Sequence, residues 1–90
     1  MAIRITFSNG EEVTINFKTR LYAKKGTFDP YDQDFYTKDV YTGSLDDPFI
    51  QTRNILFGLQ GLLSNSDWIA FGSNEKYYRT SAIVSIESIG

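Results

Sequence analysis

Two segments within the first seventeen residues alternate between apolar and polar side chains, which is the pattern of strands with one buried face. The segments AIRITF and EVTINFK place apolar residues at every second position, and Asn9-Gly10 between them is a strong hairpin signal. A two-residue Asn-Gly loop would place Phe7 opposite Glu12 and mix the two faces. We therefore expect an odd-numbered connection, with the apolar pairs Phe7–Val13, Ile5–Ile15 and Ile3–Phe17.

The middle of the chain predicts two further strands joined by an acidic loop. TRLYAKK predicts a third strand that ends at Gly26. DPYDQD is expected to form a loop, because Pro30 and the aspartates disfavour regular structure. DFYTKDVYT is expected to form a short edge strand, on which Lys38 and Asp39 discourage the addition of another strand.

The remaining pattern predicts one helix followed by strands. The helix is expected from about Pro48 to Leu63, with Asp46 or Asp47 as its N-cap. After it, WIAF predicts a strand, SNE a tight turn, KYYR a strand, TSA a kink and the last residues a final strand. This order indicates an α+β fold: a small antiparallel sheet or partly open barrel of about five to six strands, with one central helix packed on it.

The predicted helix is more apolar than packing on a single sheet requires. Its apolar side chains spread over about 240° of a helical wheel, whereas a stripe of about 100° or somewhat more suffices to cover one sheet. In one interpretation the sheet and the acidic segment both cover the helix, and the glycines allow close backbone contact. The alternative is a homo-oligomer, in which a second copy covers an interface at Ile55, Gly58, Gly61 and Leu62.

Composition limits the chemistry that the chain can perform. Ninety residues with 41% apolar side chains make one small domain, residues 1–90. The chain has no cysteine and no histidine, so it lacks the usual general base near neutral pH and the commonest zinc ligand. It has no phosphate-binding glycine motif, and DPYDQD does not have the spacing of a calcium loop. We therefore expect no enzyme activity, no cofactor and no metal.

No stretch of the sequence has the apolar length of a membrane span or the apolar core of a signal peptide. A cytoplasmic protein without a membrane partner is therefore expected.

Acidic and aromatic residues are concentrated in one segment. Residues 26–48 carry six aspartates and one lysine, while the rest of the chain is net positive. The aromatic side chains among the aspartates either fold inward over the helix or form a recognition surface for a basic partner. The second interpretation predicts binding of a host protein or a small signal molecule through Tyr31, Asp32, Asp34, Tyr36, Asp39 and Tyr41.

A second candidate surface combines basic and aromatic residues near the C-terminus. The segment EKYYRTSAIVSIES, above all Tyr78–Ser88, resembles the second motif of Sm-like proteins, in which a strand, a one-turn kink and a final strand close a small barrel. The matching positions are Tyr78, Arg79, Ala82 and Ile83. The resemblance implies binding of single-stranded RNA, although a net charge of −2 argues against a nucleic-acid partner. The alternative residues for binding a nucleic acid or a small ligand are Arg53, Tyr77, Tyr78 and Arg79.

In overall style the chain resembles the small accessory proteins carried by bacterial phages and plasmids. It is acidic and free of cysteine, and its tyrosines and aspartates are clustered. This resemblance implies a non-catalytic protein that inhibits or sequesters a host factor or signal molecule through the acidic segment. An Sm-like RNA-binding regulator is the alternative function.

Overall fold

The computed structural model describes residues 2–50 and 54–90, nearly half of which form two antiparallel sheets. The strands are β1 (Ala2–Phe7), β2 (Glu12–Ile15), β3 (Leu21–Asp29), β4 (Asp34–Gly43), β5 (Trp68–Phe71), β6 (Tyr78–Arg79) and β7 (Ile83–Ile89). The other regular elements in these ranges are the helix α1 (Ile55–Ser64) and two 3-10 turns, Pro48–Ile50 and Thr80–Ala82. The first sheet has the strand order β2-β1-β7 and the second has the order β4-β3-β5-β6.

The β1–β2 hairpin buries its apolar residues on one face, and its connection is odd-numbered, as predicted. The N–H of Phe7 donates to the carbonyl of Glu11 at 2.9 Å, so residues 8–10 form the loop, in which Gly10 has a φ of +88°. The predicted register is wrong by two residues, because this glycine lets a three-residue loop close the hairpin early. The observed pairs are Ile3–Ile15, Arg4–Thr14, Ile5–Val13 and Thr6–Glu12.

The second sheet is longer on one side than the sequence predicts. β4 is an edge strand, as expected, but it has ten residues and is not short. β3 does not end at Gly26 but continues to Asp29. The predicted DPYDQD loop is therefore reduced to Pro30–Gln33, because Asp29 and Asp34 pair with each other at the ends of the two strands.

The helix α1 is shorter than predicted. Asn54 caps it with an extended backbone (φ −127°, ψ 113°), and its side chain accepts the N–H of Leu56. The helix therefore begins at Ile55 and not at Pro48. The aspartates predicted as its cap precede the separate 3-10 turn Pro48–Ile50. Residues 51–53 lie outside the described ranges.

The core lies where the two sheets, α1 and the first 3-10 turn meet. Its apolar members are Ile3, Ile5, Phe7, Ile15, Leu21, Ala23, Leu45, Ile50, Leu59, Leu63 and Ile69. None of them comes from residues 24–44, although this segment includes most of β3 and β4. The predicted α+β class is confirmed, with seven strands in two sheets and no closed barrel among the described residues.

Candidate functional site

Beyond Lys24, β3 and β4 continue past the second sheet as a two-stranded arm, residues 25–39. β5 pairs with β3 only over Leu21–Lys24, so within the described chain the strands of the arm pair only with each other. Every residue from 30 to 40 is exposed. A two-stranded ribbon without a packed face is only marginally stable in water. The contacts at the base and the tip of the arm therefore decide its direction and order.

The base of the arm is held by two carboxylates. The Nζ of Lys24 donates to Asp39 at 2.6 Å, and this hydrogen bond raises the pKa of Lys24. The N–H of Gly26 donates to Oδ2 of Asp67 at 2.8 Å, which ties β3 to the residue before β5. These contacts fix the direction in which the arm leaves the sheet.

The tip of the arm is an ordered turn. The Oδ1 of Asp29 accepts the N–H groups of Tyr31 at 2.8 Å and Asp32 at 3.3 Å. The N–H of Gln33 donates to the carbonyl of Asp29 at 2.7 Å, and Gln33 has a φ of 55°. Such a side-chain turn fixes the backbone locally. The side chain of Tyr31 is 94% exposed, so this ordered turn holds its ring in solvent.

The register gives the arm two chemically different faces, since directly opposed residues in antiparallel strands lie on the same face. The aromatic face carries the opposed pairs Phe28–Phe35 and Gly26–Thr37. The two phenylalanine rings lie 4.8 Å apart, and Phe35 is 85% exposed. Because Gly26 has no side chain, a hollow of about 550 Å³ lies beside the rings.

The opposite face of the arm is charged. Its opposed pairs are Lys25–Lys38, Thr27–Tyr36 and Asp29–Asp34. It is therefore acidic near the tip and basic near the base, with Tyr36 between the two ends.

Five of the predicted partner-binding residues lie on the arm: Tyr31, Asp32, Asp34, Tyr36 and Asp39. Asp39 is engaged by Lys24 at the base. Tyr41 is half-buried, and its hydroxyl donates to the carbonyl of Ser44 at 2.8 Å.

Phe28 and Phe35 are not among the site residues that the sequence predicts. A signal was present, because the two residues lie at equal distances from the centre of DPYDQD and must oppose each other in a hairpin closed there.

The predicted oligomer-interface residues of α1 lie on different sides of the helix. Ile55 and Leu62 are half-buried against the core, and Gly58 is also half-buried. Gly61 is exposed, and a Cβ there would meet no atom within 4 Å. Phe57 is 63% exposed on the outer side. Ile55 and Leu62 are thus partly used by the chain's own core.

The basic and aromatic residues near β6 contact the rest of the molecule. Tyr78 stacks on Phe7 with ring centroids 4.4 Å apart, and the guanidinium of Arg79 lies 5.0 Å from the ring centroid of Trp68. Tyr77 is half-buried. Arg53, the fourth residue of this set, lies outside the described residues.

A groove that the sequence did not predict lies between α1 and β7. It has a volume of about 600 Å³, and its lining includes Leu63, Ser66, Thr80 and Ile86. The hydroxyls of Ser66 and Thr80 donate internally, to the carbonyls of Leu62 and Ser66 respectively. The groove therefore offers a surface of apolar side chains and hydroxyl groups without a charged side chain.

Within residues 2–50 and 54–90, no three His, Cys, Asp or Glu side chains are grouped so that they could hold a metal ion. In the part of the chain that the structure describes, no helix is long and apolar enough to cross a membrane. Comparison with protein-family models, with curated proteins and with solved structures found no match to this chain.

Proposed function

We propose that this chain is a non-catalytic binding protein that contacts a basic surface of a partner protein through the tip of its arm. The observation that carries the proposal is the ordered exposure of the tip, where the Asp29 turn holds Tyr31 and Asp32 in solvent. Tyrosine provides rigid contact area, and carboxylates complement lysine and arginine on a partner.

Preorganisation and charge both support a protein partner for the tip. Because the turn is already ordered, binding does not have to pay the full entropy of fixing this loop. Asp29, Asp32 and Asp34 lie within six residues of each other and attract a basic surface before contact. We therefore expect an association that is fast at low ionic strength and weakens as salt is added.

The shape of the tip favours a protein over a small signal molecule. Sites for small ligands are concave and bury most of the ligand. The tip, in contrast, projects from the sheet, and its residues from 30 to 34 are all exposed. A projecting element of this kind fits a groove on another protein. The proposed biological class is a cytoplasmic accessory protein of the phage or plasmid type, which inhibits or sequesters a host factor by occupying such a groove.

Single-stranded RNA has weaker support as the ligand. Stacking of a base needs a free aromatic face, whereas the ring of Tyr78 already stacks on Phe7. The net charge of −2 also disfavours binding to phosphates.

The proposal is tested by comparing two charge reversals with the same change in net charge. Asp32→Lys alters the tip, and Glu75→Lys alters an exposed site in the connection between β5 and β6. We expect Asp32→Lys to weaken retention of the partner from a bacterial lysate by at least about tenfold, and Tyr31→Ser to weaken it as well. Glu75→Lys should bind as the wild type does, and circular dichroism should show all variants folded.

Photo-crosslinking from the tip identifies the partner directly. A photoreactive phenylalanine analogue at position 31 should crosslink the retained protein in cells, and the same analogue at position 57 on α1 should not. Equal retention by the wild type and Asp32→Lys would contradict the proposal. If Glu75→Lys lost the partner as strongly as Asp32→Lys does, the loss would depend on net charge alone, and this result would also contradict the proposal.

A further inference from the structure

Two pairs of like charges oppose each other on the charged face of the arm. Lys25 lies opposite Lys38, and Asp29 lies opposite Asp34. Like charges in directly opposed positions destabilise a pair of strands. In the described ranges, none of these four side chains forms a salt bridge with a charge of opposite sign. Among the described residues, the arm therefore has an unfavourable arrangement that no opposite charge of its own chain compensates.

The two pairs are arranged as complements of each other. They lie on the same face, and the Thr27–Tyr36 pair lies midway between them. Rotating this face by 180° about Tyr36 places its acidic end on the former position of its basic end. A second copy of the arm, related by a two-fold axis, would thus place each acidic pair beside a basic pair.

Among residues 2–50 and 54–90, no strand pairs with the outer edge of β4, the position that such a copy would occupy. The carbonyl of Lys24 accepts the N–H of Asp67, and the N–H of Gly26 donates to the side chain of Asp67. Even-numbered residues of β3 therefore direct their backbone groups towards β5, and odd-numbered ones towards β4. By the register of the arm, Phe35 and Thr37 direct their backbone groups away from β3, along the outer edge of the sheet.

Antiparallel pairing of β4 with β4 of a second copy, centred on Tyr36, would place opposite charges beside each other. It would also provide hydrogen-bond partners for the backbone groups along the outer edge. It places Asp34 opposite Lys38 of the second copy, and Phe35 opposite its Thr37. The outward backbone groups of Phe35 and Thr37 then become the hydrogen-bonded positions of the new ladder. In the resulting four-stranded sheet, each row of charged side chains contains Asp29 and Asp34 of one copy, followed by Lys38 and Lys25 of the other.

The aromatic face is also complementary in this register. The Phe28–Phe35 pair of one copy lies in the same row as Thr37 and Gly26 of the other. The hollow beside the rings, which exists because Gly26 lacks a side chain, therefore adjoins the phenylalanines of the second copy. Phe35 of each copy lies diagonal to Phe35 of the other, within reach of an aromatic contact.

We propose that the protein forms a two-fold symmetric dimer through antiparallel β4–β4 pairing centred on Tyr36, with Asp34–Lys38 ion pairs between the copies. The tip turn ends the pairing at one side, and the register shift between Ala23 and Lys24, which leaves Val40 unpaired, ends it at the other. The interface is therefore small, and the dimer should be reversible and dependent on concentration. In this dimer the outer edge of β4 in each copy is paired with the same edge of the other copy. The assembly therefore closes as a dimer and does not extend into fibres.

An engineered disulfide tests the register. The chain has no cysteine, so Tyr36→Cys introduces a single thiol. Across the axis, residue 36 would face its own copy as a non-hydrogen-bonded pair with a Cα separation of about 4.5 Å, which a disulfide can bridge. Under mild oxidation, we expect Tyr36→Cys to form covalent dimers at least about tenfold faster than Phe57→Cys, whose exposed side chain reports on the helix.

A charge exchange tests the ion pairs. The variant Lys25→Glu/Lys38→Glu makes the charged face acidic, and Asp29→Asn/Asp34→Lys makes it basic while the asparagine retains the oxygen that orders the tip turn. By analytical ultracentrifugation, each variant alone should be monomeric where the wild type is dimeric. An equimolar mixture should form heterodimers, and this recovery would also show that both variants are folded.

Three results would overturn the dimer. They are a wild type that is still monomeric at about 1 mM, where a complex with a Kd of about 1 mM is half formed, variants that dimerise as well as the wild type, and a mixture that stays monomeric. The proposed partner-binding function fails separately, because Tyr31 and Asp32 lie outside the paired segment. Tyr31→Ser and Asp32→Lys should leave the dimer intact.

Discussion

At the scale of single residues, Tyr41 marks the point where the exposed arm meets the core. Its ring packs against the core, and its hydroxyl donates to the carbonyl of Ser44. Burial, followed by the negative charge of Asp47, raises the pKa of this hydroxyl above its ordinary value of 10.0. The folded protein therefore holds this proton more tightly than the unfolded chain does. The resulting stability is fully present below pH 10 and is lost as the pH rises through the folded-state pKa.

The variant Tyr41→Phe isolates this effect. It removes the hydrogen bond to Ser44, so we expect the free energy of unfolding at pH 7 to fall by about 1 kcal/mol. At about pH 11 the difference in the free energy of unfolding between the wild type and Tyr41→Phe should narrow, because the wild type then loses the same stabilisation when Tyr41 ionises. Urea denaturation of both proteins at the two pH values measures this difference in the free energy of unfolding. The raised pKa of Lys24 affects both proteins alike. A difference that is unchanged between the two pH values would contradict this role of the hydroxyl.

At the scale of elements, the width of the predicted apolar helix has a physical explanation. The pattern from Pro48 to Leu63 spans two elements, a 3-10 turn and α1, which begins at Ile55. Ile50 is buried from the 3-10 turn and does not belong on the wheel of α1, and Phe57, which widens the apolar stripe within α1, is 63% exposed. Within α1, the apolar residues in contact with the core cover an ordinary stripe of about 120°. These residues are Ile55, Leu56, Leu59, Leu62 and Leu63.

Gly61 lies outside this core-facing stripe, so its replacement by alanine should not disturb the packing of α1. It is exposed on α1, and an added Cβ meets no atom within 4 Å. We expect Gly61→Ala to raise the free energy of unfolding by about 0.5–1 kcal/mol, because alanine is the better helix former. Gly10→Ala is the control, since a φ of +88° should make it destabilising. If urea denaturation showed Gly61→Ala to be neutral or destabilising, a contact that requires glycine at the helix surface would have to exist.

The strands show which structural features were accessible from sequence. β1 and β2 bury one face, so their alternation was visible, and only the early closure at Gly10 displaced the register. The arm has no buried face, so it lacks the apolar period that identifies a strand. Its length was therefore underestimated, although its acidic and aromatic composition sets the segment apart from the rest of the chain. The opposed charges could not be recognised as pairs until the register of the arm was known.

At the scale of the whole molecule, the chain divides into a body that contains the core and an arm that contributes nothing to it. Within the part of the chain that the structure describes, the apolar core residues all lie at or before Ala23 or at or after Leu45. The proposed partner site and the proposed dimer edge both lie on the arm. In the antiparallel dimer the two tips would point in opposite directions, so each dimer would present two copies of Tyr31 and Asp32. Such a bivalent arrangement increases avidity for a partner that is itself repeated.

Truncation of the arm tests this division. Lys25 and Lys38 are an opposed pair whose backbone groups face each other, so a two-residue Asn-Gly turn in place of residues 26–37 can close the shortened hairpin. Because no core residue is removed, we expect the melting temperature to change by less than about 5 °C, a shift that corresponds to about 1 kcal/mol in a domain of this size. Circular dichroism measures the melting, and light scattering coupled to size exclusion measures the mass. The truncated chain should be a folded monomer that retains no partner. An unfolded truncation would make the arm a structural element of the body, and a truncation that still dimerises would move the dimer interface to another surface, such as the exposed side of α1.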